Sequence, residues 1–365
     1  MKVLMLAPDK AAQGGVAAFC ATLRDAFKVE VDYFYSGARD DGRYGPRTVL
    51  RASADYARFA RTLAAGRYDV VHVNPSFLIG ALTRDAGFVR LAKAFGKKAV
   101  VFIHGWDKSF EAKLRAKWLR LFRFGYFRAD AFVVLAQDFK SRLRTMGYRG
   151  PIHVGATAIE RSLLEASTTL SPRPPRGGSA FHVLFLSRIV KEKGIEEAIK
   201  GFGLLQAARP GATMTVAGDG PYLGEAKKLA EALGLAGVAF AGYVSGGRKV
   251  EELRRADCYL FPSFHGEGMP ISVLEAMAFG LPVITRPVGA LADFFEDGAM
   301  GYLTESRSPE VLAELMGKMM DDPAGRERMG RYNREYARGR FSPSAVAAML
   351  EAIYADVTRP GRAAA

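Results

Sequence analysis

Residues 257–285 read DCYLFPSFHGEGMPISVLEAMAFGLPVIT. The first six residues, DCYLFP, form a short apolar run of strand character, and the last four, PVIT, form another. Between them a glycine-containing loop leads into a helix that starts near Pro270. A proline is favourable there, because the first helical N–H groups have no intrahelical partner in any case. Strand, loop, helix and strand make one βαβ unit, the building block of a parallel sheet. The alternation runs through the whole second half. Residues 181–187 (FHVLFLS), 212–217 (ATMTVA) and 238–241 (VAFA) read as strands, and residues 309–320, 322–338 and 342–357 as helices.

The first half repeats the theme. Residues 2–7 (KVLMLA) read as a buried strand, followed by Gly14-Gly15 and a helical stretch to about Phe27. Residues 69–74 (DVVHVN), 98–104 (KAVVFIH) and 131–135 (AFVVL) are further β-rich runs separated by helical segments. These runs are continuous rather than alternating, which predicts parallel strands covered on both faces. Residues 171–179, SPRPPRGGS, hold three prolines and two glycines and cannot extend a helix or a central strand, so they read as a linker. The expected architecture is α/β, with two doubly wound domains at residues 1–172 and 180–340. Ligands of such sheets bind beyond the carboxyl ends of the strands, and the cleft between two such domains is the natural site.

Composition narrows the class. The chain has 365 residues, 49% hydrophobic and 25% charged, which excludes a disordered or fibrous protein. Its two cysteines, Cys20 and Cys258, lie far apart, so neither a disulfide framework nor a cysteine zinc site is expected, and a reducing cytosol fits. The opening MKVLMLAP is too short for a signal-peptide apolar region, and no run of 18 apolar residues occurs. The charge is uneven. Residues 1–180 carry 30 Lys and Arg against 15 Asp and Glu, and residues 181–365 carry 22 against 23. A basic half implies an anionic partner: nucleic acid, anionic lipid or a phosphorylated substrate.

Three segments carry chemistry. In the first, Glu267 sits in the loop before the Pro270 helix and Glu275 lies eight residues on, about two helical turns away. The amides of Gly268, Met269 and Ile271 are expected to be unpaired donors at the positive end of that helix, which attracts phosphate or hydroxyl oxygens. In the second, LFLSRIVKEKG (residues 184–194), Arg188 and Lys193 follow the end of a strand, and a helix is expected to begin at about Gly194. Two cations at the carboxyl end of a strand suit a phosphate. The third lies within residues 111–128, EAKLRAKWLRLFRFGYFR. At helical spacing Leu114, Trp118, Leu121 and Phe122 share a face, with Lys113, Lys117, Arg120 and Arg123 along its flank. Such a helix suits a membrane interface with its cations near anionic headgroups. A second basic helix is expected from Arg47 to Arg67.

The first two segments resemble the family-4 glycosyltransferases of GT-B fold. The family's E-G-x-P-x-x-x-x-E motif is matched by Glu267-Gly268-Met269-Pro270 through Glu275. Its G-R-[LI]-x-x-x-K-G motif is matched by Ser187-Arg188-Ile189 through Lys193-Gly194, with Ser187 in place of the usual glycine. Ala217-Gly218-Asp219-Gly220-Pro221, Gly242-Tyr243-Val244 and Gly280-Leu281-Pro282-Val283-Ile284 follow the family's order.

The resemblance implies retaining transfer of a sugar from a nucleotide-diphosphate sugar, UDP being the favoured base, to an acceptor in bacterial polysaccharide or glycan assembly. It implies that Arg188 and Lys193 clamp the diphosphate, that Glu275 binds the ribose and Glu267 the donor sugar, and that the following amides touch that sugar. Val244 would meet the base through its backbone. Gly14 and Gly15 would add backbone donors, and His104 would hydrogen-bond the donor sugar. Residues 1–172 would bind the acceptor and 180–340 the donor, with the helix near 342–357 packing back on the first domain. No cofactor is implied. No metal is expected, since the sequence has no Asp-x-Asp pair and no His/carboxylate cluster with ligand spacing. The basic half adds the expectation of a lipid-linked acceptor and an anionic membrane surface, with the enzyme on the cytoplasmic inner face of the cell membrane. No RNA-binding or zinc-finger pattern occurs, so nucleic acid is not expected. A nucleotide-sugar 2-epimerase of the same fold, and a non-catalytic basic membrane or nucleic-acid adaptor, remain as alternative readings.

Overall fold

The computed structural model describes residues 1–9, 14–36, 46–76, 79–169 and 181–359. The linker expected at 171–179 lies outside these residues. The chain divides into two compact units. The first comprises Met1–Ala158, Gly266–Met269 and Pro343–Ala365, and the second Ile159–His265 and Pro270–Ser342.

The first unit holds strands β1 (Lys2–Ala7), β2 (Glu30–Tyr35), β3 (Val70–Val73), β4 (Lys98–Ile103), β5 (Ala131–Val134) and β6 (Ile152–Val154). Its helices are α1 (Gly15–Leu23), α2 (Pro46–Ala65), α3 (Ile79–Ala94), α4 (Lys108–Lys113), α5 (Leu119–Tyr126) and α6 (Gln137–Thr145), with a π-helical turn at Leu114–Trp118 between α4 and α5. The second unit holds α7 (Arg161–Thr169), β7 (Phe181–Leu186), α8 (Ile195–Ala208), β8 (Ala212–Ala217), α9 (Leu223–Ala232), β9 (Val238–Gly242) and α10 (Gly246–Arg255). It continues through β10 (Cys258–Phe261), α11 (Ile271–Ala278), β11 (Val283–Thr285), α12 (Leu291–Phe294), β12 (Gly301–Leu303), α13 (Pro309–Asp321) and α14 (Pro323–Phe341). The last helix, α15 (Pro343–Thr358), belongs to the first unit, where it meets α1 and β4.

Both sheets are parallel and six-stranded. The second has the order β12-β11-β10-β7-β8-β9, the Rossmann arrangement, and the first has β2-β1-β3-β4-β5-β6. Strands predicted from continuous apolar runs are central and buried on both faces: Val100, Val101, Phe102, Val183, Leu184 and Phe185 have no exposed surface. Helices complete the layers by burying one stripe. In α8, Ile195, Ala198, Ile199, Phe202 and Leu205 face the sheet at helical spacing.

The first unit closes at Ala158, before the expected boundary near residue 172, because α7 packs on α10 and α11 and Arg338 Nη2 donates to the Ser167 carbonyl at 3.0 Å. Two helix starts fall within a residue of their expected places. Pro270 caps α11 in an extended conformation, ψ 105°, and the helix begins at Ile271. Lys191–Lys193 form a 3-10 turn, and α8 begins at Ile195, capped by Gly194.

Candidate active site

In a doubly wound sheet the crevice opens where the chain, having built strands to one side of its first strand, returns to build on the other. In the second unit that point lies between β7 and β10, which are paired neighbours. Arg188 and Lys193 follow β7, and the loop to α11 follows β10.

Backbone hydrogen bonds hold the turn that bears the two cations. Ser187 N donates to Ala217 O at 3.1 Å and Ile189 N to Asp219 O at 2.8 Å. Gly218, at φ 139°, packs so tightly that a Cβ there would lie 1.8 Å from Ser187 O, so no other residue fits. Phe264 N donates to Glu192 O at 2.9 Å, which joins the 3-10 turn to the loop after β10. Arg188 is exposed, while Lys193 is half-buried with its Nζ 5.4 Å from the Phe261 ring centre. Val244 lies just past the end of β9 with its side chain buried.

Helix α11 is buried along nearly its whole length, Glu275 included. Tyr259 ties it to the cation turn, its hydroxyl donating to Leu186 O at 2.7 Å and accepting from Ser272 Oγ at 2.8 Å. Val273 N and Leu274 N donate to Pro270 O, whereas among the described residues no backbone carbonyl accepts from the amides of Gly268, Met269 or Ile271. Burial pushes the Glu275 carboxyl above its usual range. Lys249, on α10, opposes that shift with Nζ at 2.9 Å and 3.1 Å from the two carboxylate oxygens, and Glu160 adds to it. The sequence reading missed Lys249, because its partner lies 26 residues away and a lysine on a polar helix face reads as solvated.

The remaining candidates belong to the first unit. Gly14 caps α1 at φ 143°; among the described residues no heavy atom lies within 4 Å of a Cβ built on Gly14 or Gly15, and both glycines are exposed. Glu267, Gly268 and Met269 group with this unit. Met269 Sδ lies 3.5 Å from Thr157 N, and a Cβ on Gly268 would sit 2.3 Å from His104 O. His104 follows β4, half-buried, its ring stacked on Phe102 at 4.0 Å and edge-on to Phe19 at 4.5 Å. Burial holds its pKa down at about 3, so it is a neutral imidazole at physiological pH.

The basic segment differs from the single-faced helix expected. The π-helical turn inserts a residue and rotates the register of α5 relative to α4. Leu114 and Phe122 therefore go into the core, while Trp118, Leu121 and Phe124 are 42%, 41% and 62% exposed. Lys113, Lys117 and Arg120 are exposed and form no ion pair among the described residues. Arg123 is tied back, its Nε donating to Met146 O at 2.8 Å. In the second basic helix Arg58 pairs with Asp55 and lies over Phe34, and the side chain of Arg47 is outside the described residues.

Two parallel α/β units, each with polar groups gathered at the carboxyl edge of its sheet, define a GT-B glycosyltransferase fold. The pattern of the family described as "Glycosyl transferases group 1" matches residues 169–336, and that of "Glycosyltransferase Family 4" matches residues 13–162. The chain belongs to the family-4 glycosyltransferases of GT-B fold. Over 217 residues it is 30% identical to the glycogen synthase of Mycobacterium tuberculosis, covering 58% of this chain and 51% of that enzyme, so it spans about half the length of that relative. It is 26% identical to the putative colanic acid biosynthesis glycosyltransferase WcaL of Salmonella typhimurium over 76% of this chain and 67% of that one. The crystal structure of Anabaena HepE in complex with UDP and glucose superposes with a TM-score of 0.70 at 20% identity, covering 97% of this chain and 99% of that one.

Proposed function

We propose that the protein is a retaining glycosyltransferase that takes its sugar from a nucleotide-diphosphate donor, with UDP as the base, and needs no metal. The observation that carries this reading is the pairing, at one switch point, of a rigid turn bearing Arg188 and Lys193 with a helix that buries Glu275. When the glycosidic bond to the diphosphate breaks, negative charge collects on the leaving oxygens. Cations fixed before the reaction stabilise that charge without reorganising, which is often the largest contribution to catalysis. Arg188 and Lys193 serve as this clamp, in the role Mg²⁺ plays in other transferases, and Gly14 and Gly15 add backbone donors. Glu275 accepts from the ribose hydroxyls and Glu267 from the donor sugar, joined by the amides of Gly268, Met269 and Ile271. Val244 meets the base through its backbone. His104 hydrogen-bonds the donor sugar. HepE, crystallised with UDP, supports the choice of base.

A thermal-shift panel of UDP, GDP, ADP and TDP, with and without EDTA, tests the donor side. A ligand at 100 times its Kd stabilises the fold by about 2.7 kcal/mol. UDP is expected to shift the midpoint alone and equally in EDTA. A shift that EDTA abolishes would remove the metal-free mechanism, and no shift with any nucleotide would remove the donor assignment. Proton NMR of the product reads the anomeric configuration.

On the acceptor side, the reading is a lipid-linked acceptor met at the cytoplasmic face of the membrane, in polysaccharide or glycan assembly. WcaL, named for colanic acid biosynthesis, supports the polysaccharide role. No helix among the described residues is long and apolar enough to cross a membrane. The support for peripheral binding is the surface where Trp118, Leu121 and Phe124 stand exposed beside Lys113, Lys117 and Arg120. Each such cation near an anionic surface contributes about 1 kcal/mol, and the apolar side chains add burial among the headgroups. The protein should sediment with phosphatidylglycerol-containing vesicles at low salt and be released at high salt, and Trp118→Asp should sediment poorly throughout. Sedimentation by Trp118→Asp equal to that of the parent would refute this surface.

A further inference from the structure

At the carboxyl ends of β3 and β4 four side chains of the first unit form a continuous hydrogen-bonded chain. His104 Nε2 lies 2.8 Å from Asn74 Oδ1, Asn74 Oδ1 lies 3.0 Å from His72 Nε2, and His72 Nδ1 lies 2.6 Å from the Tyr354 hydroxyl on α15. The proton positions in this chain follow from the amide. Asn74 Nδ2 lies 2.9 Å from the Leu6 carbonyl, which is only an acceptor, so the amide nitrogen faces Leu6 and the amide oxygen faces both imidazoles. An amide oxygen cannot donate, so His72 and His104 must each direct an Nε2–H at it.

The far end agrees. His72 is fully buried and its pKa is held down at about 4 by that burial, so it is neutral. With its proton on Nε2, its Nδ1 is an acceptor, and the Tyr354 hydroxyl donates to it. Every member has the partner its chemistry requires except the last. His104 is neutral and spends its single N–H on Asn74, so its Nδ1 carries a lone pair, and that nitrogen has no hydrogen-bond partner among the described residues.

We infer that Asn74, anchored by Leu6 and backed by His72 and Tyr354, is a positioning residue that fixes His104 in its Nε2–H tautomer, so that His104 offers the transferred sugar only a hydrogen-bond acceptor and selects donors with a free hydroxyl at that point. The inference rests on the proposed contact between His104 and the donor sugar. It adds the direction of that hydrogen bond and the residues that set it. A sugar hydroxyl donates to Nδ1, while a position bearing only an acceptor, such as an ether or a carbonyl oxygen, meets a lone pair and is rejected.

Long-range ¹H–¹⁵N spectra of the protein labelled at histidine nitrogens read the tautomer without any donor present. His104 is expected as the Nε2–H form in the parent and as a mixture, or the Nδ1–H form, in Asn74→Leu. Transfer rates with UDP-glucose and its singly deoxygenated analogues then read the selection. One deoxygenated analogue should lose about 10- to 100-fold in kcat/KM with the parent, the size expected for leaving a buried polar partner unmatched, and the loss should shrink to a few-fold in Asn74→Leu. A parent spectrum showing the Nδ1–H form would overturn the proposal whether or not the variant folds. So would an unchanged deoxy-sugar discrimination in a folded Asn74→Leu. If UDP-glucose proves not to be a donor while the spectrum shows Nε2–H in the parent and its loss in the variant, the donor assignment fails and the tautomer assignment stands.

Discussion

Lys193→Ala is expected to lower kcat by about 10²- to 10³-fold while leaving the donor KM within a few-fold of the parent value, the loss typical when one preorganised charge-stabilising group is removed. The size follows from how the lysine is held. Lys193 ends a 3-10 turn closed by Gly194, whose left-handed φ of 78° no side-chain-bearing residue adopts cheaply. A Cβ on Gly194 would also meet Pro262 O at 2.5 Å, so the turn is pressed against the loop after β10. The Phe264 N to Glu192 O bond holds it there. These constraints are made by the backbone and by Gly194, so truncation removes the charge and the Lys193 contact with the Phe261 ring while leaving them in place. In the proposed mechanism the charge is needed most when the diphosphate departs, so its loss is expected to fall on the transition state rather than on donor binding. Steady-state kinetics at saturating acceptor with varied donor separate the two. A kcat equal to that of the parent would exclude Lys193 from the leaving-group clamp.

What the sequence disclosed, and what it did not, divides along physical lines. The central strands were legible because burial on both faces leaves an unbroken apolar run, as in KAVVFIH and FHVLFL. The strands that went unread, β2, β6 and β12, all lie at sheet edges. Edge strand β2 mixes Glu30 and Asp32 with its aromatics, and β6 and β12 have three residues each, too few for any period. Edges need only one partner and tolerate charge and brevity, so pattern reading is weakest there. Arg188, Lys193, Glu267 and Glu275 could be singled out because the glycines and prolines that shape their turns lie beside them in sequence. Lys249, and the chain from Asn74 through His72 to Tyr354, could not be. Glu275 lies 26 residues from Lys249 and Tyr354 lies 282 residues from His72, and only the fold brings each pair together. The π-helical turn at Leu114–Trp118 is a third kind of omission, since one inserted residue redirects a helix face without leaving a compositional mark.

Lys249→Met should raise the donor KM by about tenfold or more at neutral pH and cost about 3 kcal/mol of stability, because removing one partner of a buried ion pair leaves the Glu275 carboxyl to be buried without its cation. Glu275 is 4% exposed, and Lys249 is the group that opposes its burial. Without that lysine, burial and Glu160 act together and both favour the protonated acid. A neutral carboxyl accepts weakly from ribose hydroxyls, so the donor KM of the variant should fall as pH rises through its raised pKa, and the same fall in the parent, whose carboxyl Lys249 holds lower, should come at lower pH. Stability should move the opposite way. Above the usual glutamate value of 4.5 the unfolded chain has released its proton while the native carboxyl still holds one. The native state then binds more protons, and the variant loses stability as pH rises until its own carboxyl ionises. Lys249→Arg, which keeps a cation facing the carboxylate, should recover most of the donor affinity. A purely structural lysine would give a lower melting temperature with a donor KM that stays flat across pH, and that outcome would release Glu275 and Lys249 from the donor site.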